Sequence, residues 1–456
     1  MNRIASRAWV AMVFVVILVA GMVFFLFEFN DSAQEWVLFS GSPHVYSGNK
    51  IRNGTVTDRN GVLLVDFSDG RSYASNEMLR SAVLHWTGDR SGNISTPALY
   101  RYMAEMNGYE LLNGVYSYAN AAGEMMLTID EKVQQTALEA MGDRKGTVAV
   151  YNYQTGQILC AVSTPTFDPD NVPDIANDDT GRYNGVYVNR FTQSVYIPGS
   201  IFKIATTAAA LEAIPDIMVQ TFTCTGELEI DGGKVTCETA HGKQNLRQAF
   251  SNSCNCAYAQ ITRQIGKEKM SWYIASFGLT EPVHFDGITT ASGNYNVDDA
   301  TALNFAWSGI GQHTNQINPC AFMTFVGAIA GDGIGAVPHI VEEISVGEDI
   351  TYAAKTEKTG RILSGATCRV LQDLLQNNTL VKYGTDNFPG LTVCAKSGTG
   401  EVGGGKKPNA MFTGFVSDEK YPLAFIVAVE EGGYGSHTCI PILKEVLQAC
   451  MEAMDG

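Results

Sequence analysis

The segment Pro198-Gly199-Ser200-Ile201-Phe202-Lys203 has the residue types and spacing for covalent chemistry. A serine hydroxyl is a weak nucleophile at its ordinary pKa and needs a base within hydrogen-bond reach. Lys203, three residues on, shares a helix face with Ser200. The Pro-Gly turn delivers Ser200 to the mouth of an apolar helix that continues from Ile204 to Leu211. There the Lys203 ammonium loses solvation, which lowers its pKa toward a range useful for a base. The helix N-terminus adds an electropositive end suited to developing negative charge. The bland alternative is an N-cap serine followed by a lysine that snorkels to water.

An SxxK spacing is weak by itself, because Ser417-Asp-Glu-Lys420 also fits it. That copy sits in an acidic turn between two apolar runs, with no helix behind the serine, and reads as a loop. Two further elements favour chemistry at Ser200. Ser253-Cys254-Asn255 opens a second helix 53 residues downstream, and Lys396-Ser397-Gly398-Thr399 ends an apolar strand another 143 residues on. Lys358-Thr359-Gly360 competes with the last of these, but its polar, hairpin-like context reads as a structural turn. Leu391 to Ala395 instead carries Lys396 into place, Gly398 permits close approach of another backbone, and Thr399 offers a hydroxyl and an N–H.

The chain that must position these residues has 456 of them, 45% hydrophobic and 17% charged, enough for two or three globular units. With 47 acidic against 31 basic side chains, net −16, it is unsuited to coating nucleic acid. Trp9 to Phe27 is an uncharged stretch of 19 residues, about the length that spans a hydrocarbon core of roughly 30 Å. Arg3 and Arg7 precede it, and Glu28, Asp31 and Glu35 follow. The positive-inside rule then leaves residues 1–8 in the cytoplasm and the rest outside. A cleaved signal would have a shorter apolar region, about 7–15 residues, and a small-x-small exit; Phe24, Phe25, Phe27 and Phe29 crowd this one, so an uncleaved anchor is expected.

Residues 28–122 read as a small α+β module, with a hairpin turning at Asn60-Gly61. From 123 to 456 a second domain is expected. Helical periodicity covers 131–141, strands cover 147–151 and 157–162, and helices cover 201–214 and 254–265. Strands at 393–396, 411–416 and 423–430 precede a closing helix with Leu443, Val446, Leu447 and Cys450 on one stripe. The expected fold class is α+β, with one antiparallel sheet assembled from both ends of the domain and flanked by helices.

Ten cysteines are too few for a disulfide scaffold in a chain of this size. Cys224 and Cys237 could bridge across a hairpin. Most of the others sit in apolar runs as small buried hydrophobes. No His accompanies them at ligand spacing, and Cys254 and Cys256 point from different helix faces, which argues against a zinc site. No metal or cofactor is expected.

In the order SxxK, SxN, K[ST]G the three motifs resemble those of the penicillin-recognising serine acyltransferases. Thr57-Asp-Arg-Asn-Gly61, Leu127-Thr-Ile-Asp130, Ser163-Thr-Pro165, Asn189-Arg190, Gly311-Gln312 and Met411-Phe-Thr-Gly-Phe415 extend the resemblance over about residues 50–430, to the compact form of the class B penicillin-binding proteins. The resemblance implies a membrane-anchored D,D-transpeptidase domain that cross-links peptidoglycan stem peptides and is inhibited by β-lactams. It makes Ser200 the acylated nucleophile, Lys203 its proton acceptor, Ser253 the relay to the leaving amine and Asn255 the holder of the substrate amide. Lys396 would set the electrostatics and, with Ser397, Gly398 and Thr399, meet the terminal carboxylate. Implied partners are stem peptides, β-lactams, the membrane, a glycosyltransferase and other wall-assembly proteins. A D,D-carboxypeptidase, a β-lactamase and a non-catalytic assembly scaffold are the rival readings. No ExxLN-like deacylating segment lies between Asn255 and Lys396, and a scaffold has no need of all five catalytic residues.

Overall fold

The chain opens with one helix, α1 (Asn2–Val37), whose stretch Ile4–Phe29 is long and apolar enough to cross a membrane and has an exposed apolar core. The expected span, 9–27, lies inside it. The computed structural model describes residues 2–37, 46–47, 50–51, 54–68, 70–106, 109–110, 115–116 and 123–455.

Beyond α1, strands β1 (Thr55–Thr57) and β2 (Leu63–Asp66) form the hairpin expected at Asn60-Gly61, with β3 (Ser72–Tyr73) beside them. Next come β4 (Gly123–Leu127), α2 (Glu131–Met141), β5 (Gly146–Asn152) and β6 (Ile158–Thr164). Asp130 sets the start of α2 by accepting hydrogen bonds from the N–H groups of Lys132 and Val133. The middle of the chain holds α3 (Lys203–Ala213), β7 (Thr221–Cys224), β8 (Gly242–Asn245), α4 (Asn255–Ile265) and α5 (Pro319–Ala330). The remainder contains β9 (Val341–Val346), β10 (Asp349–Ala353), α6 (Gly365–Asn378), β11 (Val393–Gly400), β12 (Asn409–Val416), β13 (Leu423–Val429) and α7 (Gly435–Asp455).

The expected sheet from both ends of the domain is present: five antiparallel strands in the order β6-β5-β13-β12-β11. Alternation along its strands feeds two cores, as the period-2 geometry of a strand requires. Val148, Val150, Phe412, Phe425 and Val427 pack with α2 and α7 on one face. Ala149, Tyr151, Met411, Phe415 and Ile426 join α3, α4 and α5 on the other. Helix α5 is apolar all round and buried almost throughout, as a central helix must be.

A second sheet runs in the order β10-β9-β4-β1-β2-β3, with β1 and β4 parallel and the remaining pairs antiparallel. It crosses the expected boundary between residues 122 and 123: β1 from the N-terminal part pairs with β4 (123–127), which pairs on its other side with β9 (341–346). Buried Asp58 fastens the junction. Its carboxylate accepts from the N–H groups of Asn60 (2.8 Å), Val62 (2.8 Å) and Glu131 (3.0 Å). Asn60 Nδ2 donates in turn to Asp130 Oδ2 at 2.9 Å, and Trp86 Nε1 donates to the Ala161 carbonyl at 2.8 Å.

Asp58→Ala would leave these N–H groups without their acceptor. The variant should unfold with a loss of about 2–3 kcal/mol, read as a lower denaturant midpoint. An unchanged midpoint would show that the junction contributes nothing to stability.

Candidate active site

Close backbone contact brings the first and last motifs together. Gly199 adopts φ +54° in the tight 3₁₀ turn Gly199–Phe202 that leads into α3, and its N–H donates to the Gly311 carbonyl at 2.9 Å. The turn lies directly against β11. A Cβ on Gly398 would stand 2.5 Å from the Pro198 carbonyl oxygen and 2.9 Å from the Ile201 nitrogen. A Cβ on Gly199 would collide with the Thr399 carbonyl, and one on Gly400 with that of Ile197. Glycine on both sides lets Ser200 reach the edge of the strand that carries Lys396, Ser397 and Thr399.

Lys203 is fully buried, and its Nζ has four oxygen partners: Ser200 Oγ at 2.9 Å, Ser253 Oγ at 3.0 Å, the Ser253 carbonyl at 2.7 Å and Asn255 Oδ1 at 2.8 Å. Burial pushes its pKa down to about 7. A neutral amine has two N–H donors and one lone pair. The Ser253 carbonyl and Asn255 Oδ1 are pure acceptors and take the donors, leaving the lone pair for a serine O–H. The arrangement aims a free base at the hydroxyls of Ser200 and Ser253. Ser253 is held at φ +50°, an uncommon backbone for serine, at the entrance to α4. Asn255 Nδ2 fixes the amide by donating to the Thr236 carbonyl at 2.8 Å.

Lys396 is also buried, and its Nζ donates to the Ser397 carbonyl at 2.8 Å. Burial first, and the charge of Lys203 second, hold its pKa well below the ordinary lysine value. Among the described residues no carboxylate forms an ion pair with either lysine. Ser397 is pinned from behind: its N–H donates to Tyr383 Oη at 2.7 Å, and that hydroxyl reaches Ser397 Oγ at 2.9 Å. Asn378 Nδ2 supports both Tyr383 Oη (3.0 Å) and the Ala395 carbonyl (2.8 Å). Ser200, Ser253, Asn255, Ser397, Gly398 and Thr399 line one cleft of about 1060 Å³.

All eight residues singled out in the sequence therefore lie at one site. The two decoys do not. Lys420 is an exposed partner of Asp455 at 2.7 Å, and Lys358 donates to the Gln154 carbonyl on the surface. Tyr383 and Asn378 have no motif to betray them. A helical irregularity at Thr379–Tyr383, continuing α6, turns Tyr383 beneath β11. Gln312, noted only within Gly311-Gln312, donates to the Thr399 carbonyl at 3.4 Å.

The expectation that the cysteines lack a nearby His is corrected. Cys224, Cys237 and Cys254 converge with His241, their ligating atoms all within 4.8 Å of one another. Helical spacing misled because Cys254 is the extended N-cap of α4, outside the helix that holds Cys256. Cys224 and Cys237, the pair that could have bridged, are both unbonded.

A serine beside a neutral lysine, at the edge of a strand able to pair with a peptide, is the arrangement of a Ser-Lys acyl-transfer site. Residues 146–448 match the family described as the penicillin binding protein transpeptidase domain, and the chain belongs to that family. It is 30% identical over 340 residues, 68% of each chain, to the peptidoglycan D,D-transpeptidase PbpA of Mycolicibacterium smegmatis. Its fold is similar to the crystal structure of PBPA from Mycobacterium tuberculosis, with a TM-score of 0.75 at 25% identity, covering 88% of this chain and 99% of that one. The ceftriaxone acyl-enzyme complex of the same M. tuberculosis protein superposes with a TM-score of 0.75 at 24% identity, covering 87% and 98%.

With the unprotonated Lys203 amine as base, acylation should climb about tenfold per pH unit below its pKa of about 7 and level off above it. Stopped-flow measurement of β-lactam acylation from pH 5 to 9 checks this. A rate that falls as pH rises through 7 would assign the base elsewhere.

Proposed function

We infer that this chain is a serine-type peptidoglycan D,D-transpeptidase, acting on stem peptides that end in D-alanyl-D-alanine and acylated by β-lactams. The observation that carries the reading is the buried Lys203 amine 2.9 Å from Ser200 Oγ. Ser200 Oγ attacks the carbonyl carbon of the penultimate D-alanine while its proton passes to Lys203 Nζ. The tetrahedral oxygen is met by the N–H groups of Ser200 and Thr399, placed for the charge that forms there. As the C–N bond breaks, the proton travels through Ser253 Oγ to the leaving D-alanine amine. An acceptor amine then attacks the ester, and the same path in reverse returns a proton to Ser200.

Asn255 orients the donor amide, and the open edge of β11 pairs with the peptide backbone as an added strand. Lys396, with Ser397, Gly398 and Thr399, receives the terminal carboxylate. Two buried lysines without a carboxylate partner favour an anionic ligand, since an incoming carboxylate supplies the missing countercharge. Transfer to an amine over water is favoured because no carboxylate among the described residues is hydrogen-bonded to Ser200, Lys203 or Ser253, leaving no obvious activator for hydrolytic water. Residues 28–122 are assigned as the non-catalytic module and 123–456 as the transpeptidase domain. The charges flanking the anchor support a location of both outside the cytoplasmic membrane, where a glycosyltransferase and other wall-assembly proteins would be fitting partners.

A fluorescent penicillin should label the wild type and Lys358→Ala equally and leave Ser200→Ala unlabelled, while Lys203→Ala should be acylated about 10²–10⁴-fold more slowly. With a pentapeptide donor and an acceptor amine, cross-linked product should exceed free tetrapeptide. Tetrapeptide alone would make the protein a carboxypeptidase, fast penicillin turnover a β-lactamase, and absent labelling a scaffold.

Protease added to intact spheroplasts should degrade everything beyond about residue 30, leaving the anchor protected as expected for a span of this length. Protection of the whole chain would reverse the topology.

A further inference from the structure

Beside the acyl-transfer site, four potential metal ligands meet from four separate places in the chain. Cys224 ends β7, Cys237 follows the hairpin strand Gly233–Thr236, His241 precedes β8, and Cys254 caps α4 between Ser253 and Asn255. Cys224 Sγ lies 3.5 Å from His241 Nδ1, and Cys237 Sγ lies 3.8 Å from Cys254 Sγ. A tetrahedral zinc, with Zn–S of about 2.3 Å and Zn–N of about 2.0–2.1 Å, spaces its ligand atoms roughly 3.5–3.8 Å apart. A disulfide would need about 2.05 Å.

The surroundings suit bound thiolates. The first turn of α4 directs two N–H groups at sulfur: Cys256 N to Cys237 Sγ and Ala257 N to Cys254 Sγ, each at 3.4 Å. His241 Nε2 lies 3.4 Å from Thr239 Oγ1, a partner that orients the ring so that Nδ1 faces the sulfurs. Cys256 Sγ, 3.6 Å from Cys237 Sγ, also reaches the Val235 carbonyl and stands outside the four-membered set.

We propose that Cys224, Cys237, His241 and Cys254 bind a structural zinc ion that fixes the segment 253–255 and the excursion 221–245 to each other. Three thiolates and a neutral imidazole close the tetrahedron, so no position is left open for substrate. The ion meets no substrate and acts on acyl transfer through the residues it positions. Cys254 sits between the two residues that hold Lys203 Nζ, and Asn255 Nδ2 binds the carbonyl of Thr236, next to Cys237. Ser253, Cys254 and Asn255 are positioned by this clamp against the uncommon backbone at Ser253.

The detergent-solubilised full chain, purified with reductant, should contain close to one zinc ion. After exchange it should take up cobalt with thiolate charge-transfer and tetrahedral d–d bands. These readouts do not depend on the catalytic reading. Cys224→Ser and His241→Ala should each lose the cobalt spectrum, Cys256→Ser should keep it, and chelation should slow penicillin acylation about 10–100-fold until zinc is restored. A metal-free wild type without cobalt bands would overturn the site, as would an intact mass showing these cysteines paired as disulfides. Acylation unaffected by zinc removal would overturn the positioning role.

Discussion

An uncharged amine in a polar cage is the interaction on which the remainder of the site depends. Burying Lys203 costs most solvation while it carries a proton, so the fold brings its pKa down to about 7 and keeps the hydrogen bonds. The Ser253 carbonyl and Asn255 amide occupy its donors and leave its lone pair for a hydroxyl. Removing either acceptor would free the amine to rotate, and the same atoms would then make a spectator. The positive φ of Ser253, the cap at Cys254 and the bond from Asn255 to Thr236 all maintain one orientation of a single lone pair.

Lys396 supplies a second demand of the same kind. Two buried lysines repel when both are charged, and among the described residues neither forms an ion pair with a carboxylate. An entering anion would relieve that repulsion. On the proposed mechanism, substrate binding and proton affinity at Lys203 are coupled: a carboxylate arriving near Lys396 would favour the cationic form of both amines and so assist the proton transfer from Ser200. Tyr383 keeps this exchange local by anchoring Ser397 from the far side of β11.

Much of this could be read from the chain before any coordinates. Strand and helix periods at 131–162 and 393–429 are strong because these segments lie in a two-faced sheet, where alternate residues enter different cores. The three motifs were legible because chemistry constrains residue type and short spacing together. Tyr383, Asn378 and His241 were not, since none belongs to a short motif of fixed spacing and the neighbours of each carry no pattern. Helix spacing failed at Cys254 for the opposite reason. The rule applies inside a helix, and this residue is the cap just before one. The second sheet was hidden because strands of two to six residues leave too little alternation to reveal which partner each will find.

The glycine contact between the turn at Gly199 and strand β11 joins positions roughly two hundred residues apart. Everything between them forms one large loop whose closure carries an entropic cost before any contact at the site is gained. Strand β11 also needs β12 and β13 to reach β5, so the sheet cannot close until the chain has been made to about residue 430. Nucleophile and strand edge are consequently assembled among the last events of folding. A chain synthesised only to about residue 380 contains Ser200, Lys203 and Ser253, yet has no means of bringing them to the edge of β11. Reactivity toward acyl donors is thereby withheld until the protein is essentially whole.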